Sequence, residues 1–215
     1  MRVVLRGALV LAIALSIGAV AGWTRGVRAA DDVTRPDAAF VDRQFSALND
    51  QVEAARGETA VLKLQLVRAT NILERSARYQ IPADLSAAIY DIALSEGIDP
   101  ALGYQLVKIE SQFKGAARSN MAAFGFTQLQ VPTARFYKGD VTERDLMDRD
   151  INLRIGFRFL NDLLVQYHGD KHLALVAYNR GPAKVREILA AGGNPRNGYS
   201  EMVLKGYQPL AVALP

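Results

Sequence analysis

The stretch Leu106-Val107-Lys108-Ile109-Glu110-Ser111-Gln112-Phe113 sets one carboxylate at the margin of an apolar face. At helical spacing Leu102, Leu106, Ile109 and Phe113 form a stripe that faces a core, and the neighbours of Glu110 one turn away are Leu106 at i−4 and Phe113 at i+3. A carboxyl group partly withdrawn from water holds its proton more tightly and can act as a general acid near neutral pH. The ordinary alternative, a surface glutamate on a helix, remains open from these eight residues alone.

Outward from this helix the chain reads as helices joined by short turns. Upstream, Gly97-Ile98-Asp99-Pro100 is the turn that starts it, with Asp99 as N-cap and Pro100 at N1. Before that turn, Ala83 to Ser95 is a helix with Leu85, Ala88, Ile89, Ile92 and Ala93 inward. Downstream, 116–124 has no clean period, and Gly125-Phe126-Thr127-Gln128-Leu129-Gln130-Val131-Pro132 reads as a loop entering a short helix. Asp150 to Tyr167 is a long helix with Ile151, Ile155, Phe159, Leu160 and Leu163 or Leu164 on one side. His172 to Asn179 is almost wholly apolar and therefore central. It ends at Gly181-Pro182, which closes one helix and opens the next, Ala183 to Ala191. A last amphipathic helix spans Tyr199 to Tyr207, and residues 208–215 form an unassigned tail. No segment from 82 onward alternates as a strand does, so the domain at 81–207 is expected to be mainly α.

The N-terminal part has a different pattern. Met1 to Arg6 is basic, and Gly7 to Trp23 is an apolar and small-residue run of 17, as in a secretory leader. Ala19-Val20-Ala21, Val27-Arg28-Ala29 and Arg28-Ala29-Ala30 each fit a cleavage site, while an uncleaved run of this length also serves as a membrane anchor. Residues 31–80 comprise a linker and then a heptad through Phe45, Leu48, Val52, Ala55, Thr59, Leu62, Leu66, Ala69, Leu73 and Ser76. A helix from Phe40 to Tyr79 would be about 60 Å long, either a coiled coil joining subunits or a partner through 45–76, or an arm folding back on the next domain. Ile81-Pro82 ends it, because the residue before proline avoids αR.

Composition narrows the function classes. The chain has 215 residues, half of them hydrophobic, enough for a real core. Its net charge of +4 equals that of residues 1–30, which carry Arg2, Arg6, Arg25 and Arg28 and no acid. The remainder is balanced and offers no basic track for nucleic acid. There is no cysteine, which excludes disulfides and thiolate catalysis. The two histidines, His168 and His172, share one face at i and i+4 if helical, but no carboxylate stands at metal-site spacing with them. No metal and no cofactor is expected.

Taken in order, Glu110-Ser111-Gln112-Phe113, Ala117-Arg118-Ser119, Gly125-Phe126-Thr127-Gln128-Leu129, Asn152 with Gly156 and Leu160, and Ala177-Tyr178-Asn179-Arg180-Gly181-Pro182 resemble the catalytic domain of lytic transglycosylases of the soluble type, a goose-type-lysozyme-like fold. Each piece alone is weak, and five in order are strong. The resemblance implies a peptidoglycan glycan strand as substrate and an envelope or periplasmic location. It also implies Glu110 as the sole catalytic carboxylate, cleaving the bond between N-acetylmuramic acid and N-acetylglucosamine to leave a 1,6-anhydro ring. Ser119, Gln128, Tyr178 and Asn179 match substrate-side residues of the family, and Tyr199 resembles the tyrosine of its final helix. A one-acid mechanism suits motif positions that otherwise carry hydroxyls and amides. Ser119 and Gln128 also have an ordinary reading as loop residues satisfying backbone groups. Tyr178 would then be a bonded core tyrosine, and Asn179 a helix-end residue. Phe126-Thr127 stand where the family commonly has Leu-Met, Gln130-Val131 where it has Met-Pro, and Arg180 where it has a small residue; these are expected to alter the cleft wall. A hydrolytic muramidase on the same fold, or a non-catalytic wall-binding scaffold, are the alternatives.

Overall fold

Helix α1 covers Ala38–Tyr79 and stops at Gln80, whose φ of 54° breaks the helix one residue before Ile81-Pro82. The computed structural model describes residues 37–209, so the expected leader at 1–30, the first part of the linker and the end of the tail lie outside the described residues. Among the described residues no helix is long and apolar enough to cross a membrane. The chain divides into two units between Ala55 and Arg56. Of the first, the described part is the opening of α1, where Phe45, Leu48 and Val52 of the heptad are exposed.

In the second unit α1 continues with Leu62, Leu66 and Leu73 exposed, and its last turns turn a different face to a core. Ile72 is buried there, and Tyr79 stacks on Tyr104 with ring centroids 5.6 Å apart. Helix α2 (Ala83–Ser95) lies against these turns. The buried Ser86 Oγ donates to the Ile72 carbonyl oxygen at 2.8 Å, and Tyr104 Oη donates to the Ser86 carbonyl at 2.7 Å. Helix α3 (Pro100–Ser111) starts as expected: Asp99 Oδ1 accepts the Ala101 N–H at 2.8 Å and Pro100 occupies N1. It is buried from Pro100 through Val107, with Gly103 in contact with Phe157 and Ala93.

Between α3 and the next helix, strands β1 (Ala123–Phe124) and β2 (Leu129–Gln130) pair antiparallel, Phe124 opposite Leu129. Helix α4 (Val131–Tyr137) follows directly, and a single 3-10 turn (Asp145–Met147) leads to α5 (Arg149–Gln166), which Asp148 caps through the N–H groups of Asp150 and Ile151, both at 3.0 Å. Helix α6 (Lys171–Arg180), α7 (Pro182–Ala190) and α8 (Tyr199–Leu204) complete the domain. The main core gathers side chains of α1, α2, α3, α5, α6 and α8, including Leu106, Phe157, Leu175 and Val203. The buried Glu96 carboxylate ties α2 to α5 by accepting from Arg154 and Arg158, each at 2.9 Å.

The fold is mainly α, as the pattern indicated, with local differences. Helix α3 ends at Ser111, and both Gln112 and Phe113 have positive φ, 54° and 61°. Phe113 is therefore not the helical i+3 neighbour of Glu110, although it still packs on Tyr79 with ring centroids 5.1 Å apart. The hairpin escapes a periodicity search because each strand is two residues long. On α5 the deepest residues are Asn152, Leu153, Phe157 and Leu160, whereas Ile151 and Phe159 are half-buried, because α5 faces more than one helix. His168 lies in the turn before α6 with φ of 52°, so it shares no helix face with His172. The last helix stops at Leu204, before the left-handed Gly206, and does not reach Tyr207.

Candidate active site

Glu110 occupies the last turn of α3, where the helix leaves the core and its side chain is half-buried. Removal from water pushes its carboxyl up to about 7, against a smaller downward pull from the Tyr199 hydroxyl, which donates to Oε1. Tyr199 opens α8 and is itself buried, so the hydroxyl reaches the carboxylate from the core side. Burial raises the Tyr199 hydroxyl well above its ordinary range, and the neighbouring carboxylate adds to this, so it stays a proton donor in the hydrogen bond.

An open cleft of about 580 Å³ lies in front of Glu110. Ser119, Gln128, Tyr178 and Asn179 all line it, so five of the six residues singled out in the sequence share one concavity. Tyr199 does not line it and meets Glu110 from behind. Among the described residues that line the cleft, Glu110 is the one carboxylate.

Two lining residues also hold the loop that carries them. Ser119 Oγ accepts the N–H groups of Met121 at 3.2 Å and Ala123 at 3.1 Å. Gln128 Nε2 donates to the carbonyl oxygens of Gly125 at 2.9 Å and Ala117 at 3.2 Å. Both Gln128 partners are acceptors, which fixes the amide nitrogen toward the loop and leaves the amide oxygen as the group available to the cleft. The loop-satisfying reading and the cleft reading therefore hold together for these residues. Tyr178 donates its hydroxyl to the Thr127 carbonyl oxygen at 2.9 Å, and burial pushes it well above its ordinary range. Asn179 Oδ1 accepts from Asn197 Nδ2 at 2.8 Å.

The turn between the strands explains where the unusual residues go. Gly125 (φ 75°) and Gln128 (φ 49°) reverse the chain tightly, which sends Phe126 and Thr127 inward. Phe126 packs against Gly115 in the main core. Thr127 is fully buried, its Oγ1 donating to Asn152 Oδ1 at 2.8 Å and its N–H to the same oxygen at 2.8 Å. These two positions do not form the cleft wall, contrary to the expectation above; Gln130 and Arg180 do line it. Arg180 Nη1 donates to the Pro195 carbonyl oxygen at 3.0 Å, which bridges the end of α6 to the loop before α8.

Sequence reasoning left one residue of this site without a role. Asn152, fully buried on α5, also donates Nδ2 to the carbonyl oxygens of Phe124 at 2.8 Å and Leu146 at 2.9 Å. It thereby fixes the hairpin, and with it Thr127, whose carbonyl receives Tyr178. A polar residue standing between Ile151 and Leu153 in a helical stretch is the sequence signal that marks it. No group of His, Asp and Glu suited to a metal ion occurs among the described residues, and His172 Nδ1 is bonded to Ser200 Oγ at 3.1 Å.

The family model for the transglycosylase SLT domain matches residues 74–197. The chain belongs to this family. Among solved structures, the SLT chain is similar to the 70 kDa soluble lytic transglycosylase from Escherichia coli at 21% identity and a TM-score of 0.50, over 60% of this chain and 24% of that one. It is also similar to an inactive mutant of the lytic transglycosylase Slt from Pseudomonas aeruginosa at 26% identity and a TM-score of 0.47, over 54% of this chain and 22% of that one. The SLT chain thus spans about a quarter of the length of either chain it matches. Tyr199 lies just beyond the segment matched to the SLT family, and α8 brings it back to Glu110.

Proposed function

We propose that this chain is a peptidoglycan lytic transglycosylase that cleaves the β-1,4 bond between N-acetylmuramic acid and N-acetylglucosamine and leaves a 1,6-anhydro end. The observation that carries the reading is a half-buried carboxyl in an open cleft, with its pKa lifted to about 7 and, among the described residues, no second carboxylate lining that cleft. Glycosidases with two carboxylates place them on either side of the scissile bond. With one, the same group must act twice.

Protonated Glu110 donates its proton to the glycosidic oxygen, and N-acetylglucosamine departs as an alcohol. The substrate's own N-acetyl group stabilises the electron-poor anomeric carbon. Ionised Glu110 then takes the proton of the muramyl 6-hydroxyl, whose oxygen closes on the anomeric carbon, so that no water is consumed and Glu110 ends protonated. A group with pKa near the working pH serves both half-reactions. In this scheme Tyr199 supports the carboxylate form, Tyr178 holds the floor, and Ser119, Gln128 and Asn179 present polar groups to the sugars. Residues 81–207 are the catalytic part, 1–30 the export leader or anchor for an envelope location, and 45–76 a self-associating or partner-binding helix.

Mass analysis of digested sacculi tests the chemistry. Products ending in anhydro-muramic acid are expected; products one water heavier would establish a hydrolytic muramidase instead. Glu110→Gln keeps the shape, removes the transferable proton and is expected to abolish cleavage in a folded protein. Undiminished wall clearing by this variant would remove Glu110 from the mechanism.

A further inference from the structure

Helix α1 turns a stripe of leucines to the solvent. Leu62, Leu66 and Leu73 are 65%, 67% and 62% exposed, and a continuous apolar surface of this kind on a folded chain marks a place of contact. The domain holds α1 by its other side: Arg68 pairs with Asp91, Ile72 is buried in the main core, and Tyr79 stacks on Tyr104. At helical spacing those three residues lie roughly opposite the leucines. The domain therefore fixes the helix and leaves the stripe facing outward. The stripe ends at Ser76, the next position of the repeat, which turns its hydroxyl onto the Ile81 carbonyl oxygen at 2.6 Å.

The spacing of the stripe defines the shape that fits it. Leu62, Leu66, Ala69 and Leu73 alternate by four and three, and Phe45, Leu48 and Val52 keep the same phase earlier in the sequence. This is the seam of a left-handed coiled coil, whose complement is another helix with the same repeat. None of these seven positions is charged. Beside them Glu58 stands at g and Lys63 at the e position that follows, both exposed. In a parallel, in-register pair of identical helices these two positions meet across the interface, so Glu58 of each copy faces Lys63 of the other. In an antiparallel pair the e rows oppose each other, and that row carries Arg56 and Lys63 with no acid. The flanks of the seam thus complement a second copy of this chain in one orientation.

We propose that the chain forms a homodimer through a parallel, in-register coiled coil over residues 45–73, with the two domains on the outer sides of the pair and at the same end. The proposal rests on the assignment of 45–76 to an associating helix above and commits that helix to one partner. Val61 and Leu64, each 53% exposed, lie on the side of α1 that the domain holds farther along and stay outside this seam.

The full chain has no cysteine, so single substitutions report cleanly. Leu62→Cys and Leu73→Cys are each expected to give a disulfide-linked dimer on mild oxidation. Leu64→Cys is expected to give at least about tenfold less, because bridging needs Cα atoms within about 7 Å. Both seam sites meet themselves in a parallel pair, whereas in an antiparallel pair only a site at the centre does. Leu62→Lys combined with Leu66→Lys is expected to weaken self-association, read by sedimentation, by at least about a hundredfold. Linking at only one seam site, linking at Leu64→Cys that matches the seam sites, or a full chain that sediments as a monomer at micromolar concentration overturns the proposal. So does a helix that binds a different protein or a lipid vesicle while two copies never link. The readout needs no glycan: a chain that links at both seam sites and cleaves no wall refutes the catalytic reading and leaves the dimer standing, and a chain that cleaves wall and links at neither does the reverse.

Discussion

At the scale of single residues, what sets Glu110 apart is the competition between desolvation, which holds the proton, and the Tyr199 hydroxyl, which favours releasing it. The carboxyl is raised from 4.5 to about 7, so the acid that the proposed first half-reaction requires is present below pH 7. Activity as kcat/KM is expected to fall by about tenfold per pH unit above that point. The same shift has a stability consequence. Between pH 4.5 and about 7 the folded chain binds the Glu110 proton and the unfolded chain does not, so the contribution of this group is lost as pH rises through that window. Tyr199→Phe removes the hydrogen bond that lowers the pKa, and is expected to move the falling limb of the pH profile to higher pH while reducing kcat. A limb that stays in place, or moves down, would show that the hydroxyl does not act on this carboxyl. Part of this was legible in the sequence. Leu106 one turn before Glu110 gives the half-burial, but the partner that matters lies 89 residues away at Tyr199. No local spacing announces a contact closed by the last helix.

At the scale of elements, the helices were readable because their ends carry chemical punctuation. Asp99, Asp148 and Asp170 each cap a helix through backbone N–H groups, and Pro82, Pro100 and Pro182 fix where helices begin. The hairpin was not readable, since its pairing depends on Asn152 reaching from α5 to backbone groups of Phe124, Thr127 and Leu146. The direction of Phe126 and Thr127 was misjudged for the same reason: positive φ at Gly125 and Gln128 decides which way the turn presents its side chains, and residue type alone does not report it. Asn152→Ala leaves one buried N–H and two carbonyls without this partner, at roughly 1–3 kcal/mol for each group left unsatisfied. A loss of at least 3 kcal/mol by denaturant titration is expected, with glycan cleavage falling further than stability alone would require because Tyr178 depends on Thr127. Less than about 1 kcal/mol would mean that water replaces the asparagine and that the hairpin does not hang on it.

At the scale of the whole molecule, the end of α1 belongs to the energetics of the domain that follows it. Sequence periodicity predicts a heptad through this segment, and Leu62, Leu66 and Leu73 of that pattern are exposed. A second face, carrying Ile72 and Tyr79 and bordered by the heptad's Ser76, was hidden because its partners are supplied by α2 and α3. Ser86 Oγ donates to the Ile72 carbonyl and lies 2.7 Å from the Tyr104 hydroxyl, Ser76 Oγ donates to the Ile81 carbonyl at 2.6 Å, and Gln105 Nε2 donates to Tyr79 Oη at 3.3 Å. Removing these turns would forfeit the burial of Ile72 against the core, at about 2 kcal/mol for an aliphatic side chain of that size, and would deprive Ser86 of a buried acceptor, at roughly 1–3 kcal/mol. A chain beginning at residue 81 is therefore expected to be about 4 kcal/mol less stable than one beginning at Arg56, a drop of roughly 10 °C in Tm for a domain of this size. The comparison is made by thermal melts of the two truncated chains at the same concentration. Equal Tm values would mean that the last turns of α1 are passengers on the domain, and would return that segment wholly to its heptad role.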